Sequence, residues 1–250
     1  TDKPVVVCAA TGCLEVTTTI YPQTSWKCPF IHSAFENSAA TMSGVSRAFQ
    51  ALKKKGKMKK DVKFIVFGGD GGTSDIGLQA LSGALERKEK FVYIQYDNEG
   101  YMNTGHQRSS ATPFGAATTT TPNGTVLHGK AEFRKDITKI IAAHNIPYVA
   151  QAAVHNWSDL LMKAKKALEV DGPAFINVLS TCPENWSYPN ELTIEISKLA
   201  VNSNFWPLYE VENGVFKLNF IPTNPVSMEK FMKPQTRFKH LFLPENKKAL

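Results

Sequence analysis

The sequence predicts an α/β fold, a parallel sheet with helices on both faces. Apolar runs alternate along the chain with segments of helical periodicity, which is the pattern of strand–helix–strand units. The runs at residues 62–67 (VKFIVF) and 91–96 (FVYIQY) are short and bounded by turn signals, as buried strands are. Polar residues follow the carboxyl ends of such runs, and α/β sheets bind ligands at that edge.

The unit between residues 62 and 103 organises the chain. Its first strand stops at the glycine-rich segment 68–72 (GGDGG), which we expect to be a loop that lets backbone approach a ligand closely. Its second strand ends at Asp97 and Asn98. Between them, apolar residues at helical spacing predict one helix: Ile76, Leu78, Leu81 and Leu85.

This arrangement suits a metal-bound diphosphate. Glycine N–H groups and a helix N-terminus attract phosphate oxygens. Magnesium prefers oxygen ligands, and Asp70, Asn98 and the backbone of Gly100 offer them. In a right-handed βαβ unit the two strands are parallel, so Asp70 and Asn98 should lie at one edge of the sheet.

The remaining elements follow from the same patterns. Residues 26–35 should be irregular, and the long segment 102–125 should be a functional or interface loop. Residues 1–200 should form the α/β domain, and residues 201–250 a C-terminal tail that packs on this domain or on a partner. Further strands are expected at 3–10, 146–152 and 174–180, and helices at 38–52, 132–143 and 158–169, the last with Ser158 as N-cap.

The four cysteines do not form a Cys-x-x-Cys pair. Cys8 lies within a strand and should be a core residue, whereas Cys28 lies in the irregular segment. Cys13 and Cys182 each follow a predicted strand, which would place both at the sheet edge that carries Asp70. They are therefore the better candidates for metal ligands.

Composition excludes some classes of function. The formal net charge is +7, and residues 53–60 contain six lysines. We interpret this lysine segment first as a solvated helix end, and second as a docking surface for an acidic electron carrier. No aromatic residues are interleaved with these lysines, so nucleic-acid binding is not expected. Without a long apolar run or a signal peptide, we expect a cytoplasmic protein that does not bind a membrane.

Several motifs together resemble a known family. The spacing of Gly69-Asp70-Gly71 from Asn98 is similar to that in thiamine diphosphate enzymes. Five segments resemble the β subunit of 2-oxoacid:ferredoxin oxidoreductases, most closely that of the pyruvate enzyme. They are GGDGGTSDIG, YDNEGYMNTG, ATPFGAATTTTP, ATGCLEVTTTIYP and WKCPFIHSAFENSAA. The resemblance covers nearly the whole chain. It implies a domain of the PP type, which binds the diphosphate part of thiamine diphosphate, as opposed to the pyrimidine-binding type.

The resemblance also implies cofactors and residue roles. Magnesium would be held by Asp70, Asn98 and Gly100. A [4Fe–4S] cluster would be held by Cys13, Cys182 and two cysteines expected upstream of residue 1, although Cys8 and Cys28 remain possible substitutes. Asn103 would act near the substrate, and the other residues implied to bind thiamine diphosphate are Gly12, Gly69, Gly71 and Thr104.

The implied reaction is the oxidative decarboxylation of a 2-oxoacid, most simply pyruvate, to acyl-CoA and CO₂, or its reverse. Ferredoxin would exchange the electrons. An α subunit would supply the pyrimidine-binding domain and an activating glutamate, with γ and δ subunits completing the enzyme. Three alternatives remain open: a dinucleotide-binding oxidoreductase, although Ser74 replaces the third glycine of that motif; a non-oxidative thiamine diphosphate enzyme; and a non-catalytic assembly subunit.

Overall fold

The computed structural model describes residues 1–124, 128–244 and 246. Within them one eight-stranded sheet has the order β2-β1-β3-β4-β6-β5-β7-β8. The first six of these strands are parallel, and β7 and β8 are antiparallel. The strands are β1 Val5–Ala10, β2 Phe30–Ser33, β3 Lys63–Gly69, β4 Val92–Asp97, β5 Tyr148–Ala153, β6 Ala174–Leu179, β7 Tyr209–Glu212 and β8 Val215–Leu218.

Helices cover both faces of the parallel part of the sheet, as the sequence predicted. Alternate residues of the strands point to opposite faces, so Val66 and Tyr93 pack against one helical layer and Val92 and Ile176 against the other. Helices α2, α3 and α4 form the first layer and α5 the second. The α-helices are α1 Cys13–Thr18, α2 Ser38–Lys54, α3 Leu78–Glu86, α4 Ile137–Ala142, α5 Trp157–Glu169, α6 Pro183–Trp186, α7 Thr193–Asn202 and α8 Met228–Met232.

The glycine-rich segment after β3 is not the open loop that we expected. Gly71–Ile76 forms a π-helical turn, buried from Gly71 to Ser74, that leads through Gly77 into α3. A Cβ atom at Gly77 would lie 2.2 Å from the Gly72 carbonyl oxygen, so the turn needs glycine there. Ile76, expected on the buried face of the helix, is 53% exposed because it belongs to this turn and not to α3.

Other expectations need correction at element ends and at the sheet edges. The segment 26–35 contains the edge strand β2, which pairs with β1. The helix expected at 132–143 is shorter, because the Asp136 carboxylate accepts the Lys139 N–H and starts α4 there. In the same way Asn156, and not Ser158, caps α5 by accepting the Asp159 N–H.

The C-terminal residues continue the domain core in the described part of the chain. Residue 200 lies within α7, and the β7–β8 hairpin extends the sheet beyond β5. A third apolar cluster, which includes Trp186, Trp206 and Phe231, fills the space beyond the carboxyl ends of β5 and β6. No helix in the described residues is long and apolar enough to cross a membrane.

Candidate cofactor site at the carboxyl edge of the sheet

The ends of β3 and β4 bring the predicted metal ligands together. The two strands are parallel neighbours, with Gly69 paired with Tyr96, so Asp70 and Asn98 follow them at the same edge. The Asn98 side-chain oxygen faces Asp70 Oδ1 at 2.9 Å and the Gly100 carbonyl oxygen at 3.0 Å. In this orientation the Asn98 oxygen faces two acceptor oxygens and no donor.

Such a cluster is stable in two ways. The Asn98 amide can rotate by 180° and donate hydrogen bonds to both neighbours. Alternatively a cation lies among the three oxygens. Neighbouring ligands of an octahedral Mg²⁺ ion lie about 3.0 Å apart, since each oxygen is about 2.1 Å from the metal, and the observed spacings match that edge. In the cation-binding orientation the amide nitrogen faces Cys13 Sγ at 3.5 Å, whereas the reversed amide turns its nitrogen to Asp70 and Gly100 instead.

The predicted site residues, apart from Cys182, line one small cleft of about 30 Å³ around this cluster. Two tyrosines border it and explain the glycines. A Cβ atom at Gly71 would lie 2.2 Å from the Tyr101 ring, and one at Gly12 would lie 2.2 Å from Tyr96 Oη. Asn103 is exposed at the mouth of the cleft. Gly12 and Gly71 thus make room for aromatic rings, a role that the sequence did not indicate.

A larger cavity, about 560 Å³, lies elsewhere, where β3 and β4 begin. Lys53 and Lys54, from the lysine-rich segment, line it and belong to the last turn of α2. Positive charge is favourable at a helix C-terminus, which accounts for these two lysines without a ligand. The smaller cleft is the stronger candidate for a cofactor site, because Asp70, Asn98 and Gly100 converge there and because it lies at the edge where α/β sheets bind ligands.

Cys13 and Cys182 also lie at this edge. Cys13 begins α1, and Cys182 precedes α6 after the end of β6. Burial, and to a lesser degree the charge of Cys182, raise the pKa of the Cys13 thiol, and both cysteines pack against the apolar cluster that contains Trp186. The Asn103 amide donates a hydrogen bond to Cys13 Sγ at 3.2 Å. Cys8 is fully buried in the core, as expected.

Two thiols do not complete a cluster. The described residues contain no group of three or more His, Cys, Asp or Glu side chains placed to hold a metal ion. The oxygen cluster is not of that kind, because only one of its three oxygens comes from a carboxylate. Any iron–sulfur cluster at Cys13 and Cys182 needs further ligands from other segments.

A buried charge network beside the cleft was missed by sequence reasoning. Arg134 forms ion pairs with Asp97 and Glu99, each at 2.8 Å, and Arg237 pairs with Glu99 at 2.7 Å. Burial raises the pKa of Asp97 to about 6, against the opposing effect of Arg134. Nothing local in the sequence distinguishes these two arginines from surface ones, because their partners are distant along the chain.

Arg237 connects the C-terminal segment to residues 98–100, the ligand loop, which carries two of the predicted metal ligands. Its guanidinium lies 3.7 Å from the centre of the Trp186 ring. Trp186 Nε1 in turn donates a hydrogen bond to the Asn98 carbonyl oxygen at 2.9 Å. Glu99, which pairs with Arg237, has a left-handed backbone with φ of 64°. The Arg237–Glu99 ion pair and the Trp186 indole together hold the turn that directs Asn98 and Gly100 toward the cleft.

Comparisons with known proteins identify the family of this chain. A family model of the C-terminal TPP-binding domain of thiamine pyrophosphate enzymes matches residues 10–178. Pyruvate synthase subunit PorB of Methanocaldococcus jannaschii is 54% identical over 241 residues, 96% of this chain and 81% of that protein. PorB of Thermotoga maritima is 55% identical over 238 residues, 94% of this chain and 74% of that protein.

Two further comparisons concern other substrates. Ketoisovalerate oxidoreductase subunit VorB of Pyrococcus abyssi is 46% identical over 224 residues, 88% of this chain and 72% of that protein. A structure of 2-oxoglutarate:ferredoxin oxidoreductase from Magnetococcus marinus, with 2-oxoglutarate, coenzyme A and succinyl-CoA bound, superposes with a TM-score of 0.61. It is 23% identical and matches 73% of this chain but 56% of that one, so it supports the fold alone.

The Arg237 network should dominate the stability of this edge. We expect Arg237→Met to lower the free energy of unfolding by about 3–5 kcal/mol, because it leaves part of the Glu99 charge uncompensated in the interior. Arg108→Met is the matched control. Arg108 pairs with Glu132 at 3.9 Å on the surface, and its loss should cost about 0–1 kcal/mol. Urea titration measures both, and equal effects would contradict the assignment.

Proposed function

The chain belongs to the PorB-type β subunits of the 2-oxoacid:ferredoxin oxidoreductases, and we propose that its cleft binds magnesium and thiamine diphosphate for the oxidative decarboxylation of pyruvate to acyl-CoA and CO₂, or the reverse. The observation that carries this proposal is the convergence of Asp70, Asn98 and the Gly100 carbonyl at the ends of β3 and β4. Pyruvate is preferred because the relatives with the higher identities quoted above are named pyruvate synthase subunits.

The charge balance of the site favours a cation. Three buried carboxylates, those of Asp70, Asp97 and Glu99, lie in this region with Arg134 and Arg237. In the described part of the chain the two guanidinium groups pair with Asp97 and Glu99 and none with Asp70. Burial and the charge of Asp97 raise the pKa of Asp70 well above its usual value. A magnesium ion would offset this unpaired charge.

The chain's residues would bind and orient the cofactor. Asp70 Oδ1, the Asn98 side-chain oxygen and the Gly100 carbonyl would hold the ion, which in turn would hold the diphosphate. Gly69 and Gly71 add no side chain of their own to the cleft, since the Tyr96 and Tyr101 rings lie beside them, and Gly12, Asn103 and Thr104 line the rest. When bound, thiamine diphosphate supplies a nucleophilic carbon and a sink for the electron pair released with CO₂.

Electrons would leave through a [4Fe–4S] cluster held in part by Cys13 and Cys182. The support is positional. The Asn98 side chain contacts Cys13 through its nitrogen and the oxygen cluster through its oxygen, so the two centres would be separated by one amide group. Ferredoxin would accept the electrons. The remaining cluster ligands would come from outside this pair of cysteines.

The rest of the enzyme would come from partner subunits. The described residues form one α/β sheet, which accounts for the diphosphate-binding half of a thiamine site. An α subunit would supply the pyrimidine-binding domain and the activating glutamate, and γ and δ subunits would complete the complex. Exposed Asn103 and Thr104 at the mouth of the cleft suit a cofactor that is shared with another chain.

Asp70→Asn should abolish magnesium-dependent cofactor binding, because it removes the charged ligand from the oxygen cluster. We expect thiamine diphosphate to bind the assembled complex more than about 100-fold more weakly in that variant. Asp171→Asn, at a side chain that is 86% exposed, should bind as wild type. Calorimetric titration at fixed Mg²⁺ is the measurement. Undiminished binding by Asp70→Asn would remove Asp70 from the site.

Cys13→Ser and Cys182→Ser should each lower the iron and acid-labile sulfide content of the anaerobically purified complex. Each replaces a thiolate of the proposed cluster. The matched control is Cys28→Ser, since Cys28 lies outside the cleft residues. Electron paramagnetic resonance of the reduced complex should show one cluster signal altered in the first two variants only. Unchanged iron content and spectra in both would end the cluster assignment.

The substrate assignment is tested by the complete complex under anaerobic conditions. With coenzyme A and ferredoxin, pyruvate should give the highest kcat/KM in a panel that includes 2-ketoisovalerate and 2-oxoglutarate. The reason is the identity to pyruvate synthase subunits, and the VorB relative makes the branched substrate the leading competitor. A clear preference for 2-ketoisovalerate would replace pyruvate as the substrate without changing the cofactor assignment.

A further inference from the structure

The two oxygens of the Asp70 carboxylate have different partners. Oδ1 lies 2.9 Å from the inward-facing atom of the Asn98 amide, which is also 3.0 Å from the Gly100 carbonyl oxygen, and a cation would lie among these groups. Oδ2 accepts a hydrogen bond from the Ser109 hydroxyl. Asp70 and Ser109 are each 1% exposed, so water does not compete for this contact. One oxygen is thus directed to the metal position and the other is occupied by a protein donor.

The direction of the Ser109 hydrogen bond is determined by its surroundings. The Ala111 N–H donates to Ser109 Oγ at 3.1 Å. A serine hydroxyl has a single hydrogen to donate. With Ala111 acting as donor to the oxygen, that hydrogen points to Asp70, and a carboxylate acceptor makes such a bond stronger than one between neutral groups.

The turn that carries Ser109 is attached to the other metal-ligand segment. The Ser109 N–H donates to Thr112 Oγ1 at 3.0 Å, and that hydroxyl donates to the Glu99 carbonyl oxygen at 2.7 Å. Glu99 lies between Asn98 and Gly100. The turn therefore connects Asp70, after β3, with the ligand loop after β4, and any displacement of one affects the other.

Lys130 holds the same turn from the opposite side. Its buried ammonium donates to the Thr112 carbonyl oxygen at 2.6 Å and to the Ser110 carbonyl oxygen at 3.2 Å. The Ser110 N–H also donates to Asp75 Oδ2 at 3.1 Å, which anchors the turn to the π-helical segment. These contacts leave Ser109 little freedom to follow Asp70 if the carboxylate rotates.

We propose that Ser109 is a positioning residue that restricts Asp70 to binding a divalent cation through Oδ1 alone, and thereby favours Mg²⁺ over Ca²⁺. This rests on the proposed function, because it takes Asp70 as a metal ligand. Mg²⁺ requires near-ideal octahedral geometry with ligands at about 2.0–2.1 Å, whereas Ca²⁺ accepts about 6–8 oxygens at about 2.3–2.6 Å and often a carboxylate that binds through both oxygens. Occupying Oδ2 disfavours the second mode.

The test compares Mg²⁺ and Ca²⁺ affinities of the assembled complex, titrated calorimetrically at saturating thiamine diphosphate. Ser109→Ala frees Oδ2, and the ratio of Mg²⁺ to Ca²⁺ affinity should fall by about tenfold or more, as expected for losing a hydrogen bond to a charged group. Ser109→Thr keeps the hydroxyl and should retain the wild-type ratio. Ser110→Ala is the matched control, since its hydroxyl has no hydrogen-bond partner in the described structure.

The outcomes separate this proposal from the one on which it rests. A folded Ser109→Ala complex that keeps the wild-type ratio of Mg²⁺ to Ca²⁺ affinity overturns the positioning role. This holds even if both affinities fall together, because a general loosening of the fold would weaken the binding of both ions alike. Wild-type complex that binds no divalent cation with the cofactor overturns the proposed function itself. If Ser109→Ala does not assemble, Ser109→Cys preserves the volume with a weak donor, and an unchanged ratio there is equally decisive.

Discussion

The structure of this edge depends on which way the Asn98 side-chain amide faces. With its oxygen inward, Asn98 places that atom 2.9 Å from Asp70 Oδ1 and 3.0 Å from the Gly100 carbonyl oxygen, where burial strengthens electrostatic repulsion. Such an arrangement is stable when a cation or a reversed amide compensates it. The sheet brings these atoms together because β3 and β4 are parallel neighbours that end at the same level. The surrounding contacts hold them there.

The supporting contacts come from both ends of the chain. Cys13, near the N-terminus, accepts hydrogen bonds from Asn98 and Asn103. Arg237, in the C-terminal segment, reaches the ligand loop through Glu99 and lies against Trp186. Buried charges are costly unless they are paired, and here the pairing ties distant segments to one turn. The geometry of the cleft is therefore a property of the whole domain.

The cleft is small because the chain fills much of it with its own aromatic rings. Tyr96 and Tyr101 occupy the space that side chains at Gly12 and Gly71 would need. The cavity of about 560 Å³ lies at the other end of the strands and contains none of the converging oxygens. The cleft has several hydrogen-bond acceptors, a small volume and an opening at Asn103. These features are consistent with a cofactor held between this subunit and a neighbour.

Much of the site followed from local pattern. Apolar runs and glycine breaks determine where β3 and β4 end, and parallel strands align their ends, so Asp70, Asn98 and Cys13 could be placed at one edge from sequence. The pairing of Arg134 and Arg237 with Asp97 and Glu99 could not, nor the contact of Ser109 with Asp70, because these depend on which distant groups burial brings together. The same holds for β2 and the β7–β8 hairpin. Periodicity reports the environment along one segment, whereas charge pairing and edge strands are decided by neighbours that only the folded chain supplies.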